Sequence, residues 1–283
     1  MTIAYIPSTD GVEVALHDLG GVGPALLMVH ANGMHGRVWQ PVADALAADA
    51  RCWAIDLRGH GVSRTPDNLA YEWDGVGDDV SAVVDHLYAA GHAEPGQLDG
   101  VGWSMGGCGL MLAEQAVAGR FRSLWAFEPI VFPAEAARPA GAPNPLADSA
   151  RRRREIFASR DEAFENYAAK PPFSTTDPAS LRAYVEHGFG DLDDGTVQLR
   201  CRGATEAAFF SAEHGEVFAN LGAIATPTTV VGSGDGGPPS MIAPTVAEHL
   251  LNGFYVSMAD LNHFGPMQDP ARIAASIRKA LPR

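Results

Sequence analysis

Gly102-Trp103-Ser104-Met105-Gly106 has the G-x-S-x-G spacing of a nucleophile elbow, a serine on a sharp strand-to-helix turn. A serine hydroxyl is a poor nucleophile near neutral pH. It becomes reactive when a base takes its proton and an acid orients that base. The turn crowds the positions two residues to either side, and Gly102 and Gly106 keep them small. The amide of Met105, first in the following helix, is placed to receive a developing oxyanion. Read alone, the pentapeptide has a lesser alternative, a glycine-rich turn around a buried serine, and the chemistry needs a histidine and a carboxylate elsewhere.

Two later segments offer them. Asp235 lies in Gly232-Ser233-Gly234-Asp235-Gly236 and His263 in Asp260-Leu261-Asn262-His263-Phe264-Gly265-Pro266. Each follows an apolar run, and open α/β sheets place their sites just beyond the carboxyl ends of strands. Glu128, closing the apolar run Leu124 to Phe127, is the alternative acid. Asp235 is preferred, with Glu128 read as a loop anchor. His30 and His60 read as loop-holding residues, and His86, His92, His187, His214 and His249 as spectators in helical or surface contexts. The run Arg151 to Arg154 could grip an acidic substrate, but charges at the start of a helix usually face water.

The elements that must position these residues follow from the apolar pattern. Ile3 to Pro7 and Val12 to His17 read as a hairpin around Asp10-Gly11. Apolar runs at Ala25 to Val29, Cys52 to Ile55, Leu98 to Trp103 and Leu124 to Phe127 alternate with helical spacing after Trp39, from Asp74 to Ala90, and after Met105. That alternation predicts a parallel sheet with helices on both faces. The rhythm breaks at Pro133. Arg151 to Phe173, Pro178 to Phe189 and Thr205 to Phe218 carry helical spacing with no strand of the main pattern, which predicts an inserted helical cap. Thr228 to Gly232 resumes the sheet, Met241 to Leu250 is a helix, Phe254 to Met258 a strand and Pro270 to Leu281 the closing helix.

The chain has 283 residues and a formal net charge of −14. That acidity argues against nucleic acid and anionic membrane surfaces as partners. Cys52, Cys108 and Cys201, without C-x-x-C spacing, read as buried thiols of a reducing compartment, neither disulfides nor a metal site. With no signal-peptide pattern in Met1 to Pro7 and no membrane-length apolar stretch, the expectation is a cytoplasmic protein.

The elbow, the Asp235 turn and the His263 segment occur together with His30-Ala31-Asn32-Gly33, Trp39 and Asp56-x-Arg58-Gly59-His60-Gly61-x-Ser63. Over nearly its full length this set resembles the α/β-hydrolase fold family. The resemblance implies an α/β architecture: a mostly parallel eight-stranded sheet flanked by helices, with residues 1–132 and 220–283 as core and 133–219 as a helical cap, or lid. It implies a catalytic triad of Ser104 as nucleophile, His263 as proton shuttle and Asp235 as orienting acid. The amides of Asn32 and Met105 would form the oxyanion hole. By position, Trp103 and His35 are the candidates to line the substrate pocket, with His35 reading more readily as a solvated loop histidine. The family's usual His-Gly pair is His30-Ala31 here, which leaves close backbone approach to Gly33. The expected activity is that of a serine esterase without metal or cofactor, cleaving a small apolar carboxylic ester, thioester or lactone through an acyl-serine. Carbon–carbon bond hydrolases, cofactor-free perhydrolases and low-turnover ligand-binding receptors keep the same triad and stay open. Haloalkane dehalogenases and epoxide hydrolases carry an aspartate at the elbow, and Ser104 argues against both.

Overall fold

The computed structural model describes residues 3–136, 143–212 and 216–282. Strands β1 (Ile3–Pro7) and β2 (Glu13–Gly20) form the expected antiparallel hairpin. Then follow β3 (Ala25–Val29), helix α1 (Gln40–Ala45), β4 (Arg51–Asp56), α2 (Trp73–Ala89), β5 (Leu98–Trp103), α3 (Met105–Ala116) and β6 (Phe121–Phe127). Beyond them lie α4 (Pro145–Arg151), β7 (Ile156–Phe157), α5 (Arg160–Ala168), α6 (Pro178–Gly188), β8 (Phe189–Asp191), β9 (Val197–Leu199) and α7 (Gly203–Ser211). The chain closes with β10 (Thr228–Ser233), α8 (Pro238–His249), β11 (Gly253–Met258), α9 (Gly265–Gln268) and α10 (Pro270–Ala280).

The main sheet has eight strands in the order β1-β2-β4-β3-β5-β6-β10-β11, antiparallel over its first three strands and parallel from β4 onward. Strand β3 shows why its apolar run is continuous. Successive side chains point to opposite faces. Leu27 and Val29 pack with Val76, Val80 and Met111 of α2 and α3. Leu26 and Met28 pack with Val42 of α1 and Ile273 and Ile277 of α10. Both faces are covered, so both parities must be apolar. In register, Val29 pairs with Gly102 and Trp103 with Phe127, while Val231 pairs with both Phe127 and Val256. The carboxyl ends of β3, β5, β6, β10 and β11 therefore share one rim.

Between β6 and β10 the structure corrects the all-helical expectation. Helices α4 to α7 are joined by a three-stranded antiparallel sheet in the order β7-β9-β8. Its strands are two or three residues long, too short for a period-two signal. Helix starts obey local chemistry: the side chains of Asn144, Ser159 and Asp177 accept from amides in the first turns of α4, α5 and α6, each worth about 1 kcal/mol. The predicted helix from Thr205 to Phe218 ends at Ser211. His214 and part of the predicted loop from Pro133 to Pro145 lie outside the described residues.

Candidate active site

Ser104 closes β5 and opens α3 with φ 57° and ψ −114°. A non-glycine residue held there costs about 1–3 kcal/mol and persists only when its surroundings enforce it. Its own backbone does so. The Ser104 N–H donates to Phe127 O at 2.9 Å, and its carbonyl accepts from Cys108 and Ile130, each at 3.2 Å. The flanking glycines are sterically required. A Cβ on Gly102 would lie 2.6 Å from Gly107 Cα, and one on Gly106 would lie 2.2 Å from the Val29 carbonyl oxygen. The second contact presses the start of α3 against the end of β3.

His263 reaches Ser104 from the loop after β11. Its Nε2 lies 3.1 Å from Ser104 Oγ, and its Nδ1 lies 2.5 Å from Glu128 Oε2. An ionised carboxylate only accepts, so these partners assign the proton to Nδ1 and leave Nε2 to accept from the hydroxyl. Glu128 follows β6 with φ 45° and is wholly buried, and its other oxygen accepts from Ser233 N–H at 2.7 Å. The preference for Asp235 behind the imidazole is therefore corrected: Glu128 stands there. Asp235 lies two residues beyond β10 on an exposed turn, where its carboxylate accepts the backbone N–H groups of His263 (2.9 Å) and Gly237 (2.8 Å). It shapes the histidine loop without touching the ring.

The expected pocket residues are also corrected. Trp103 is fully buried and its indole N–H donates to His263 O at 2.8 Å. His35 is 2% exposed, bonded through Nε2 to Tyr184 O at 3.0 Å. Trp103 is thus sealed beneath the His263 loop, and His35 is buried against α6.

The loop after β3 turns at Ala31–Met34, closed by the Met34 N–H on Ala31 O at 3.0 Å, with Gly33 at φ +78°. Asn32 holds the second position of this turn, so its N–H is not spent on the closing bond. The Met105 N–H heads α3 and has no acceptor within its own helix. Two buried histidines hold the turn from the core side. His60 Nε2 accepts from Gly33 N–H at 3.0 Å while its Nδ1–H donates to Arg58 O at 2.9 Å. His30 Nε2 accepts from Leu57 N–H at 3.0 Å while its Nδ1–H donates to Ala31 O. Burial pushes the pKa of His60 down to about 4, and burial with the His60 neighbour pushes that of His30 well below the ordinary value. Both work as neutral rings, the structural roles expected of them. On the opposite side, the Asn32 amide group donates to Glu206 O of α7 at 3.0 Å.

Glu206 carries no functional signal in the sequence, and the arginine run that contains its partner Arg153 reads as a grip for an acidic substrate or, more readily, as charges facing water. Arg153 pairs with Glu206, and Tyr167 and Tyr184 sat in what read as apolar helical spacing. Burial pushes the Cys52 thiol up to about 12 and raises those of Cys108 and Cys201 as well. Among the described residues no three His, Cys, Asp or Glu side chains are grouped to hold a metal, and no helix is long and apolar enough to cross a membrane.

A family model described as "Alpha/beta hydrolase family" matches residues 26–276. Pimeloyl-[acyl-carrier protein] methyl ester esterases are similar over part of the chain. That of Vibrio atlanticus is 37% identical over 89 residues, and that of Chromobacterium violaceum is 39% identical over 87. Each match spans 31% of this chain and only 30% of the relative. Among solved structures, an E-2-(acetamidomethylene)succinate hydrolase superposes with a TM-score of 0.77 at 17% identity, covering 99% of this chain and 98% of the other. A thermophilic esterase from Thermogutta terrifontis, bound to malate, gives 0.70 at 21%, covering 99% and 97%. At these identities the likeness is one of fold.

Proposed function

The chain belongs to the alpha/beta hydrolase family, and from that premise we propose that it is a serine hydrolase acting on carboxylic esters. The observation that carries this is the unbroken hydrogen-bonded series Ser104 Oγ, His263 Nε2, His263 Nδ1, Glu128 Oε2. His263 takes the Ser104 proton as Oγ attacks the ester carbonyl. The amides of Asn32 and Met105 receive the oxyanion, each worth about 3 kcal/mol to the transition state. The imidazolium is stabilised by the buried Glu128 carboxylate and then protonates the departing alcohol. Water, deprotonated by the same imidazole, attacks the acyl-serine and releases the acid. Similarity of one segment to methyl ester esterases supports an ester as the bond cleaved. Helices α4 to α7, of which α6 and α7 contact the loop after β3 through Tyr184 O and Glu206 O, belong in this reading to a cap that selects the acyl group.

Labelling by a fluorophosphonate probe tests the proposal. Rapid labelling of the native protein, absent in Ser104→Ala, is expected. Ligand-induced stabilisation with no labelling and no turnover would instead support the binding-protein reading.

A further inference from the structure

Four consecutive arginines follow different fates. Arg151 and Arg154 stay at the surface, pairing with Asp148 and Glu162 across half-exposed side chains. Arg152 is exposed. Arg153 turns inward, its side chain 17% exposed, and pairs through Nη1 with Glu206. Its Nη2 donates to Tyr184 Oη at 2.7 Å and to Tyr167 Oη at 3.2 Å. This guanidinium lies on the oxyanion turn: a Cβ on Gly33 would be 3.3 Å from Arg153 Nη1 and 2.9 Å from Glu206 Oε1. Gly33, next to Asn32, is what lets it approach.

The cluster holds more donors than acceptors. A guanidinium carries N–H groups on Nε and on both Nη atoms, and each phenol that accepts from it keeps its own proton to donate. Burial raises the Tyr184 pKa well above the ordinary value, so that phenol stays protonated. Among the described residues, neither phenol proton meets an acceptor. Buried donors are almost always satisfied, and a surplus calls for a ligand that brings oxygen lone pairs. A carboxylate is acceptor-only and presents several lone pairs in one plane, so one such group can take donors from more than one of these side chains.

We propose that Arg153, Tyr167 and Tyr184 form a carboxylate-binding subsite beside the oxyanion turn, and that the substrate is a half-acid whose acyl chain carries a second, free carboxylate. The identity of the bond cleaved rests on the serine hydrolase reading; the subsite does not.

The experiment compares p-nitrophenyl hydrogen glutarate with p-nitrophenyl valerate, matched in chain length. The native protein is expected to favour the half-acid in kcat/KM. Arg153→Gln should lower that ratio by about 10- to 100-fold, chiefly through the KM of the half-acid, since hydrogen bonds to a charged group are lost. Tyr167→Phe and Tyr184→Phe should each lower it less, and Tyr167→Phe serves if Arg153→Gln does not fold. No preference in the native protein, or a ratio unmoved by these variants, overturns the subsite. Calorimetric titration of glutarate into Ser104→Ala reads the subsite without turnover. Binding there that is lost in Ser104→Ala/Tyr167→Phe supports it even if neither ester is cleaved and Ser104 is unlabelled, which would sink the hydrolase reading alone. Absence of glutarate binding counts against the subsite.

Discussion

The two sides of the oxyanion turn are built from different materials. On the core side the turn rests on backbone amides and two neutral imidazoles, His30 and His60, fully enclosed among strand ends. On the other side it meets α7 through Asn32, with an arginine, a glutamate and two tyrosines above it. Neutral groups fixed by the sheet suit a task common to any carbonyl, namely receiving an oxyanion. Ionised side chains on short helices and the loops between them suit a task that differs between substrates. In this reading the core holds the reaction and the cap chooses its substrate, so changes on the two sides should move different kinetic constants.

The largest effect should come from the core. Ser104→Ala is expected to lower kcat by about 10⁴- to 10⁶-fold, judged from comparable triads, on the neutral and the acidic p-nitrophenyl ester alike. An effect confined to one ester would merge the two roles that the comparison separates. Glu128→Gln comes next. A glutamine presents a neutral amide to Nδ1, removes the charge that balances the imidazolium and permits the wrong tautomer. A fall in kcat of about 10³- to 10⁴-fold is expected, with the KM ratio of the two esters unchanged.

The neutral histidines make the core side sensitive to acid. His60 and His35 are both held near pKa 4 by burial, against about 6.5 in an unfolded chain. Between those values the unfolded state binds more protons, so stability is complete above pH 6.5 and declines as pH falls toward 4. Each ring accounts for about 3 kcal/mol of that decline. Urea midpoints taken from pH 7.5 down to 4.5 should therefore fall, and His60→Gln should flatten the slope by nearly one proton. An unchanged slope would mean that the His60 ring is not held neutral.

How much of this was legible in the sequence depended on length and on distance. Strand β3 announced itself because five consecutive apolar residues must be covered on both faces. The elbow was legible because steric demand limits Gly102 and Gly106 to the smallest residue. The strands β7, β8 and β9 were not, since two or three residues carry no period. Choosing between Glu128 and Asp235 needed the third dimension. Both follow strand ends, and only their reach across neighbouring strands tells which carboxylate meets the ring. Arg153 was hidden among identical neighbours, because nothing local distinguishes the arginine that turns inward from those that face water.

Asp235 provides the smallest and sharpest test. Its carboxylate accepts two backbone amides, one from His263 and one from Gly237, at an exposed position. Asp235→Asn keeps a carbonyl oxygen for one of them and leaves the other to water. Losing such a bond at the surface costs about 1 kcal/mol, so kcat should fall by less than about tenfold. Glu128 has no such recourse, being sealed from solvent with both oxygens engaged. The two carboxylates should thus differ by orders of magnitude when each is changed to its amide. If Asp235→Asn proves as damaging as Glu128→Gln, the imidazole must turn toward Asp235 during turnover, and the division between a ring-orienting glutamate and a loop-shaping aspartate fails.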